Sequence, residues 1–406
     1  MTEKTFDFII YGASGYTGRQ TAAFLRKQAP DAKIGLAGRN LEKLKQVARG
    51  LSLKEDACLV ADSKDVPAVQ RVTAQAKVLV NTAGPFALHG EPVIQGCVEH
   101  HTDYVDITGE TPFIKDMIER YHEKAQERGI RIVPFCGFDS VPSDIGTLWM
   151  IEQMKSRSWE PRMVKTFYRI KGGFNGGTIA SALNMAETGN NRQLVNPLLL
   201  VPKPQRNDDD RRRSKEPQKP VFDPDLNIWS APFFMAPINS AVVRRSRAIY
   251  QQWQQDYGKE FEYHERLCVD RNGKWLASAI ASLASAAFVT ATLSSPGRQL
   301  VRKLAPAPGE GPSDEDMDSG YMRCQIVGKS WRNDMLQGVI KAKGDPGNRI
   351  TVKILGESAK HLLTAPRDKL PGGAKFGGIL TPATGLGLDL IPKLEEQGIH
   401  FSLEQD

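Results

Sequence analysis

The sequence predicts an α/β protein: a Rossmann-type doubly wound parallel sheet, a second α+β domain inserted into it, and a C-terminal segment that returns to the first sheet. Three observations carry this expectation. An apolar run, Phe6–Tyr11, leads into Gly12, Gly15 and Gly18, and a helical pattern follows through Thr21, Ala22 and Leu25. Further apolar runs downstream end in small or polar residues. The 406 residues are 40% hydrophobic and 25% charged, which suits two or three globular domains.

Phe6–Tyr11 is short, aromatic and β-branched, as a buried strand should be. Glycine inside a strand or helix costs about 0.5–1 kcal/mol relative to alanine, so a cluster of three needs a reason. Between a strand and a helix they permit a tight turn, let backbone N–H groups approach a pyrophosphate, and bring the helix N-terminus to it. Gly12, Ser14, Gly15, Tyr16, Thr17 and Gly18 are therefore expected to bind the cofactor phosphates.

The second strand, Lys33–Gly38, runs into Arg39 and Asn40. Arg39 stands 21 residues after Gly18, where an NAD-binding chain carries a carboxylate for the ribose 2′-hydroxyl. A carboxylate would repel the extra phosphate of NADP, whereas a guanidinium pairs with it bidentately. NADP(H) is the expected cofactor; a solvated helix-start residue is the alternative reading of Arg39. The third strand, Ala57–Asp62, places Asp62 at the adenine edge. The fourth, within Ala76–Phe86, ends in Thr82, Ala83 and Gly84, small enough to let the backbone pass a nicotinamide ribose. Ordinary turn chemistry would also explain both ends. Thr102–Glu110 and Ile130–Asp144 add two strands with polar ends.

The net charge of +7 suggests nucleic acid, but seven Lys/Arg and four Asp/Glu between 203 and 220 contribute +3 of it. That proline-rich, charge-blocked stretch reads as a disordered loop, and nothing else supports nucleic-acid binding. Cys58, Cys97, Cys136, Cys268 and Cys324 lack metal or redox spacing, so free thiols and no metal are expected. A strand beginning by Phe6 leaves no room for a leader peptide, and a cytoplasmic location follows as an expectation. Of the histidines, His89 follows the fourth strand and could reach the site, whereas His122 reads as a helix-surface residue.

The segments "GASGYTGRQTAAFL", "AGRN", "NTAGPF", "TDYVDITGE" and "GFDSVPSDIG", in this order, resemble the saccharopine dehydrogenase-like oxidoreductases. "GGTIASAL", "APFFMAPINSAVVRRS" and "GGILTPATGLGLDLIPKLEEQGIHF" extend the resemblance over most of the chain. It is most similar to the branch containing the trans-acting enoyl reductases. The resemblance implies an NADP-binding domain at 1–148, a substrate and dimerisation domain at 149–370, and a return segment at 371–406 whose helix spans Leu386–Gln397. It further implies reduction of a conjugated double bond on a lipid-linked or polyketide-type acyl substrate, by a homodimer. Two alternatives stay open: a saccharopine-type amino-acid dehydrogenase, and a lipid-associated nucleotide-binding protein without turnover. The chain shows no clear arginine set for gripping several carboxylates.

An enoyl reduction needs a proton donor for the α-carbon. Tyr104, Glu110 and Asp139 are the catalytic candidates at the strand ends, the carboxyls being useful only where burial raises their pKa. "GFDSVPSD" reads equally as a structural turn with Ser143 capping a helix. Arg244 and Arg245 suit a coenzyme A phosphate or interface ion pairs. Leu276–Leu293 is uncharged. Ser278, Ser282, Ser285 and Thr292 share one helical side, and Leu276, Ile280, Leu283 and Ala287 another. A helix with its greasy side buried is expected, with contact to a membrane or lipid-droplet surface, or a membrane span, as alternatives.

Overall fold

The computed structural model describes residues 3–404, except 174, 270–273 and 308 and the side chains of 288 and 293. The first domain alternates strand and helix. It runs β1 (Phe6–Tyr11), α1 (Tyr16–Gln28), β2 (Ile34–Gly38), α2 (Leu41–Gly50), β3 (Cys58–Val60), α3 (Val66–Thr73) and β4 (Ala76–Asn81). It continues through α4 (Phe86–His89), α5 (Glu91–Glu99), β5 (Asp103–Asp106), α6 (Thr111–Glu127), β6 (Arg131–Val133) and α7 (Val141–Lys155). Phe8, Ile9 and Ile10 are fully buried, because helices cover both faces of a parallel sheet and its central strands lose the apolar–polar alternation. β1 pairs in parallel with β2 (Ile9 opposite Gly35) and with β4 (Ile9 opposite Leu79). The crossovers run in opposite directions from β1, which makes the crevice between β1 and β4 the switch point where such sheets bind ligands.

The second domain comprises β7 (Pro161–Lys171), α8 (Gly176–Glu187), α9 (Asp208–Arg213), β8 (Val221–Asp223), β9 (Ile228–Pro232) and α10 (Ala236–Gln252). β10 (Glu262–Leu267), α11 (Trp275–Leu293), α12 (Ser295–Leu304), α13 (Asp314–Asp318), β11 (Tyr321–Ser330) and β12 (Met335–Lys343) follow. After it come α14 (Thr351–Thr364), β13 (Gly378–Ile379), α15 (Pro382–Gly385), α16 (Leu390–Glu396) and β14 (Ile399–Leu403). The sheets are seven-stranded, ordered β13-β6-β5-β4-β1-β2-β3 and β14-β12-β11-β7-β10-β9-β8. α7 joins them: a Cβ on its Gly146 would lie 2.8 Å from Ile340 and 2.9 Å from Ile326.

Several expectations are corrected. The return to the first sheet begins at α14, ahead of residue 371, because Ile354, Leu355, Ala359 and Leu362 form a buried helical face against α1, β4 and β5. The tail ends in the other domain, where β14 pairs with β12. The helix expected at Leu386–Gln397 is confined to α16, since Gly387 turns the chain with φ +72°. Residues 203–220 are ordered: Asn207 caps α9, and Asp210 pairs with Arg213 and Arg247. Ser140, not Ser143, stands at the start of α7, Pro142 being tolerated in the first turn where no N–H is required. His122 is half-buried, accepts the Ile379 N–H at 3.0 Å, and so anchors β13 to α6. Arg245 is buried and Arg244 half-buried, and both bond carbonyls rather than carboxylates.

α11 is turned opposite to the expected way. Ser278 is 1% exposed and Thr292 8%, whereas Leu276, Ile280 and Leu283 face outward. The helix is apolar nearly all round, so close approach decides its orientation. The small Ser/Thr stripe lets it seat on β9 and α8.

Candidate active site

Gly12 leaves β1 at φ +84°, and its N–H donates to the Ala37 carbonyl at 2.9 Å. A Cβ there would meet the Ala83 backbone N at 3.0 Å. On Gly18 it would fall 2.2 Å from the Gly12 carbonyl oxygen and 2.8 Å from Thr82 Oγ1. The turn therefore tolerates no side chain at these two positions. Gly15, the N-cap of α1, offers no capping side chain, so the first-turn N–H groups are available to an anion. This cradle fits a pyrophosphate held by the backbone from Ser14 to Gly18. The side chain of Tyr16 points elsewhere. Its hydroxyl donates to the Pro312 carbonyl at 2.6 Å, tying the turn before α13 to α1.

At the end of β2, Arg39 is exposed and has no ion-pair partner among the described residues. Asn40 caps α2, its Oδ1 accepting the Lys43 N–H at 3.0 Å, so its side chain is already engaged. Asp62 Oδ1 accepts the Lys64 N–H at 2.9 Å. His89 reaches this side of the crevice and hydrogen-bonds Ser63 at 2.8 Å.

At the end of β4, Thr82 binds the Tyr11 carbonyl through both its N–H (2.9 Å) and its hydroxyl (3.0 Å). Asn81 Oδ1 accepts the Ala83 N–H at 3.0 Å, and its Nδ2 donates to the Tyr104 hydroxyl at 3.1 Å. Tyr104 in turn donates to Asp106 Oδ2 at 2.7 Å. Tyr104 is wholly buried, and its hydroxyl braces two strand ends inside the sheet. Burial pushes Asp106 up to about 7 despite three donors to its carboxyl. Glu110 is also buried, and its two oxygens accept the Phe86 and Ala87 N–H groups at 2.8 and 2.9 Å. Burial raises its pKa, and hydrogen bonds from Ala87, Ser181 and Phe86 oppose the shift.

Asp139 differs from these two. It keeps some exposure and has no hydrogen-bond partner among the described residues, while crowding around the carboxyl raises its pKa to about 6. The residue before it belongs to a buried aromatic cluster. Phe138 meets Tyr168 edge-on at 5.9 Å, and Tyr168 stacks on Phe233 at 4.9 Å. The side chains of Met235 and Ile238 cover Gly109.

The family described as "Saccharopine dehydrogenase NADP binding domain" matches residues 8–133. A trans-acting enoyl reductase of Mycobacterium tuberculosis is 30% identical, with 98% of this chain and 97% of that one aligned. The Mycobacterium ulcerans enzyme is also 30% identical, over 98% of both chains. The chain belongs to the trans-acting enoyl reductase branch of the saccharopine dehydrogenase-like family. It is an NADP-dependent oxidoreductase. The fold of this branch is shared with saccharopine dehydrogenase (L-Glu forming) from Saccharomyces cerevisiae. That likeness has a TM-score of 0.54 at 11% identity, over 98% of this chain and 100% of that one. Homospermidine synthase from Legionella pneumophila gives a TM-score of 0.51 at 8% identity, over 100% of this chain and 92% of that one.

In this enoyl reductase-like chain the sequence pattern did not disclose a buried cluster behind Asp139. Ser140 Oγ donates to Asn239 Oδ1 at 3.0 Å, and Asn239 Nδ2 donates to Glu265 Oε1 at 2.6 Å. Glu265 Oε2 accepts from Ser143 at 3.0 Å and from Tyr263 at 2.7 Å. Burial pushes Glu265 up to about 8. The available signal was the pair Tyr263 and Glu265 at strand period two, on the buried face of β10. Ser181 on α8, which reaches Glu110, was not foreseen either.

Proposed function

We propose that this oxidoreductase is an NADPH-dependent enoyl reductase of a lipid-linked or polyketide-type acyl substrate. The carrying observation is Asp139, a partnerless carboxyl that directly follows Phe138 of a buried aromatic cluster with Tyr168 and Phe233. An acyl substrate calls for apolar surroundings without a facing charge. An amino-acid substrate would instead need cations facing it. Arg131, Arg244 and Arg245 instead donate to backbone carbonyls.

In this reading the backbone from Ser14 to Gly18 holds the pyrophosphate, and Arg39 pairs with the 2′-phosphate. Thr82, Ala83 and Gly84 flank the nicotinamide ribose. When bound, the dihydronicotinamide supplies a hydride, which goes to the β-carbon of the enoyl group. The Asp139 carboxyl gives the balancing proton to the α-carbon. Tyr104 and Glu110 act as positioning residues: Tyr104 braces β4 against β5, and Glu110 holds the first turn of α4.

Turnover of NADPH with enoyl thioesters, compared with keto acids and amino acids, tests the reading. Oxidation of NADPH only with enoyl thioesters is expected. Turnover confined to the keto-acid and lysine pair would replace it with the amino-acid reading.

A further inference from the structure

The outward face of α11 has no counterpart in the proposed chemistry. Trp275, Leu276, Ile280, Leu283 and Val289 are all more than half exposed, Leu283 at 73%. At 1.5 Å per residue, Trp275 to Val289 covers about 21 Å of this helix. The next helix adds exposed Leu300 and Leu304. Scattered exposed leucines are normal on soluble proteins, but Leu276, Ile280 and Leu283 on one face with Trp275 and Val289 flanking it are a concentration that marks an interaction surface.

Charge selects the occupant. From 274 to 309 the sequence holds Lys274, Arg298, Arg302 and Lys303 and no Asp or Glu. Glu187 of α8 pairs with Arg298 and Arg302, and Lys303 is exposed. A second copy docking here about a two-fold axis would bring two such basic segments together, and like charges oppose that. An anionic bilayer surface complements them. Trp275 at the start of α11 is suited to the headgroup layer, where its ring is half in hydrocarbon.

The inward stripe decides between lying on a bilayer and crossing it. Ser278 and Thr292 are buried against the protein, with Ser282 and Ser285 partly so. α11 also packs on β9 and α8. One side of the helix is thus occupied by its own domain, and crossing a bilayer would strip it from the sheet.

We infer that α11 and α12 form a docking face for anionic lipid surfaces, with α11 lying in the headgroup layer. α8 backs this face and carries Ser181, which reaches Glu110 and lies 3.4 Å from a Cβ placed on Gly84. Docking therefore brings the crevice end of β4 toward the lipid through a single intervening helix. As a supply route for acyl chains this contact rests on the acyl reading of the site; the contact itself is tested with lipid alone.

The full chain is sedimented with phosphatidylglycerol vesicles and with phosphatidylcholine vesicles. Binding to the former, weakened by added salt, is expected. The double change Leu276→Asp and Leu283→Asp should reduce it on the order of tenfold or more, and Lys303→Glu should weaken it as well. Unchanged circular dichroism and NADPH titration would show that the variants are folded. Wild-type protein that stays in the supernatant with both vesicle types overturns the inference. So does a concentration-dependent dimer that Leu283→Asp dissolves while vesicle binding is absent. Turnover of a short, soluble enoyl thioester is measured on the same samples. Vesicle binding without turnover counts against the acyl reading and supports the docking face, and turnover without vesicle binding does the reverse.

Discussion

Glu110 and Phe86 tie the loop after β5 to the loop after β4: the Glu110 carboxylate accepts the Phe86 N–H at 2.8 Å and, through its other oxygen, the Ala87 N–H at 2.9 Å. A buried carboxylate from the end of β5 thereby caps the first turn of α4, directly after Thr82, Ala83 and Gly84. Replacing Glu110 by Gln leaves one of those N–H groups facing an amide donor. An unsatisfied buried donor costs about 1–3 kcal/mol. A lower midpoint of urea unfolding and weaker NADPH binding are expected, read by denaturation and fluorescence titration.

Arg39→Asp should exchange cofactor preference. Losing one charge-assisted phosphate contact costs about 1.5–3 kcal/mol, or roughly 10–150-fold in NADPH affinity, and NADH binding should change little. Titration of both cofactors against both proteins checks this, and equal affinities in the unmodified protein would remove Arg39 from the 2′-phosphate.

Gly18→Ala should abolish NADPH binding, because its Cβ would lie 2.2 Å from the Gly12 carbonyl oxygen, and a backbone atom cannot step aside as a side chain can. The turn must open to admit it. Calorimetric titration should show no saturable binding, while the second domain keeps its ordered contacts in hydrogen exchange.

As the proton donor we propose, Asp139 would have to be protonated to act. With its pKa raised by burial to about 6, kcat/KM should be level at lower pH and fall about tenfold per unit above that value. Asp139→Asn should lose on the order of 10²–10⁴-fold in rate and flatten the falling limb. Tyr104→Phe should keep the limb, since Tyr104 lies inside the sheet.

Glu265 has a pKa raised from 4.5 to about 8, so the folded protein holds this proton more tightly than the unfolded chain. Its contribution to stability is complete below about 4.5 and is lost as pH rises through about 8. Glu265→Gln keeps a neutral group of the same shape. Urea unfolding across that window should show a shallower decline for the variant, which becomes the more stable protein at alkaline pH.

Much of the first domain was legible because local chemistry dictates it. The glycines at 12 and 18 admit no side chain, Phe6–Tyr11 is a central strand, and Arg39 follows β2. These are statements about short range, and a sequence carries them directly. The roles of Tyr104 and Glu110 were not legible, since a polar residue at a strand end can face the crevice or brace it. The neighbouring strand decides which. Asn81 and Asp106 enclose the tyrosine, and α4 presents its N–H groups to the glutamate.

The same division runs through α11. Composition and spacing determined that 276–293 is an uncharged helix with a serine stripe and a leucine stripe. Only the tertiary structure decided which stripe faces in. Apolar character around the whole helix gives burial little preference, whereas small side chains allow α11 to approach β9 and α8 closely. The serines went inward, and the leucines were left at the surface.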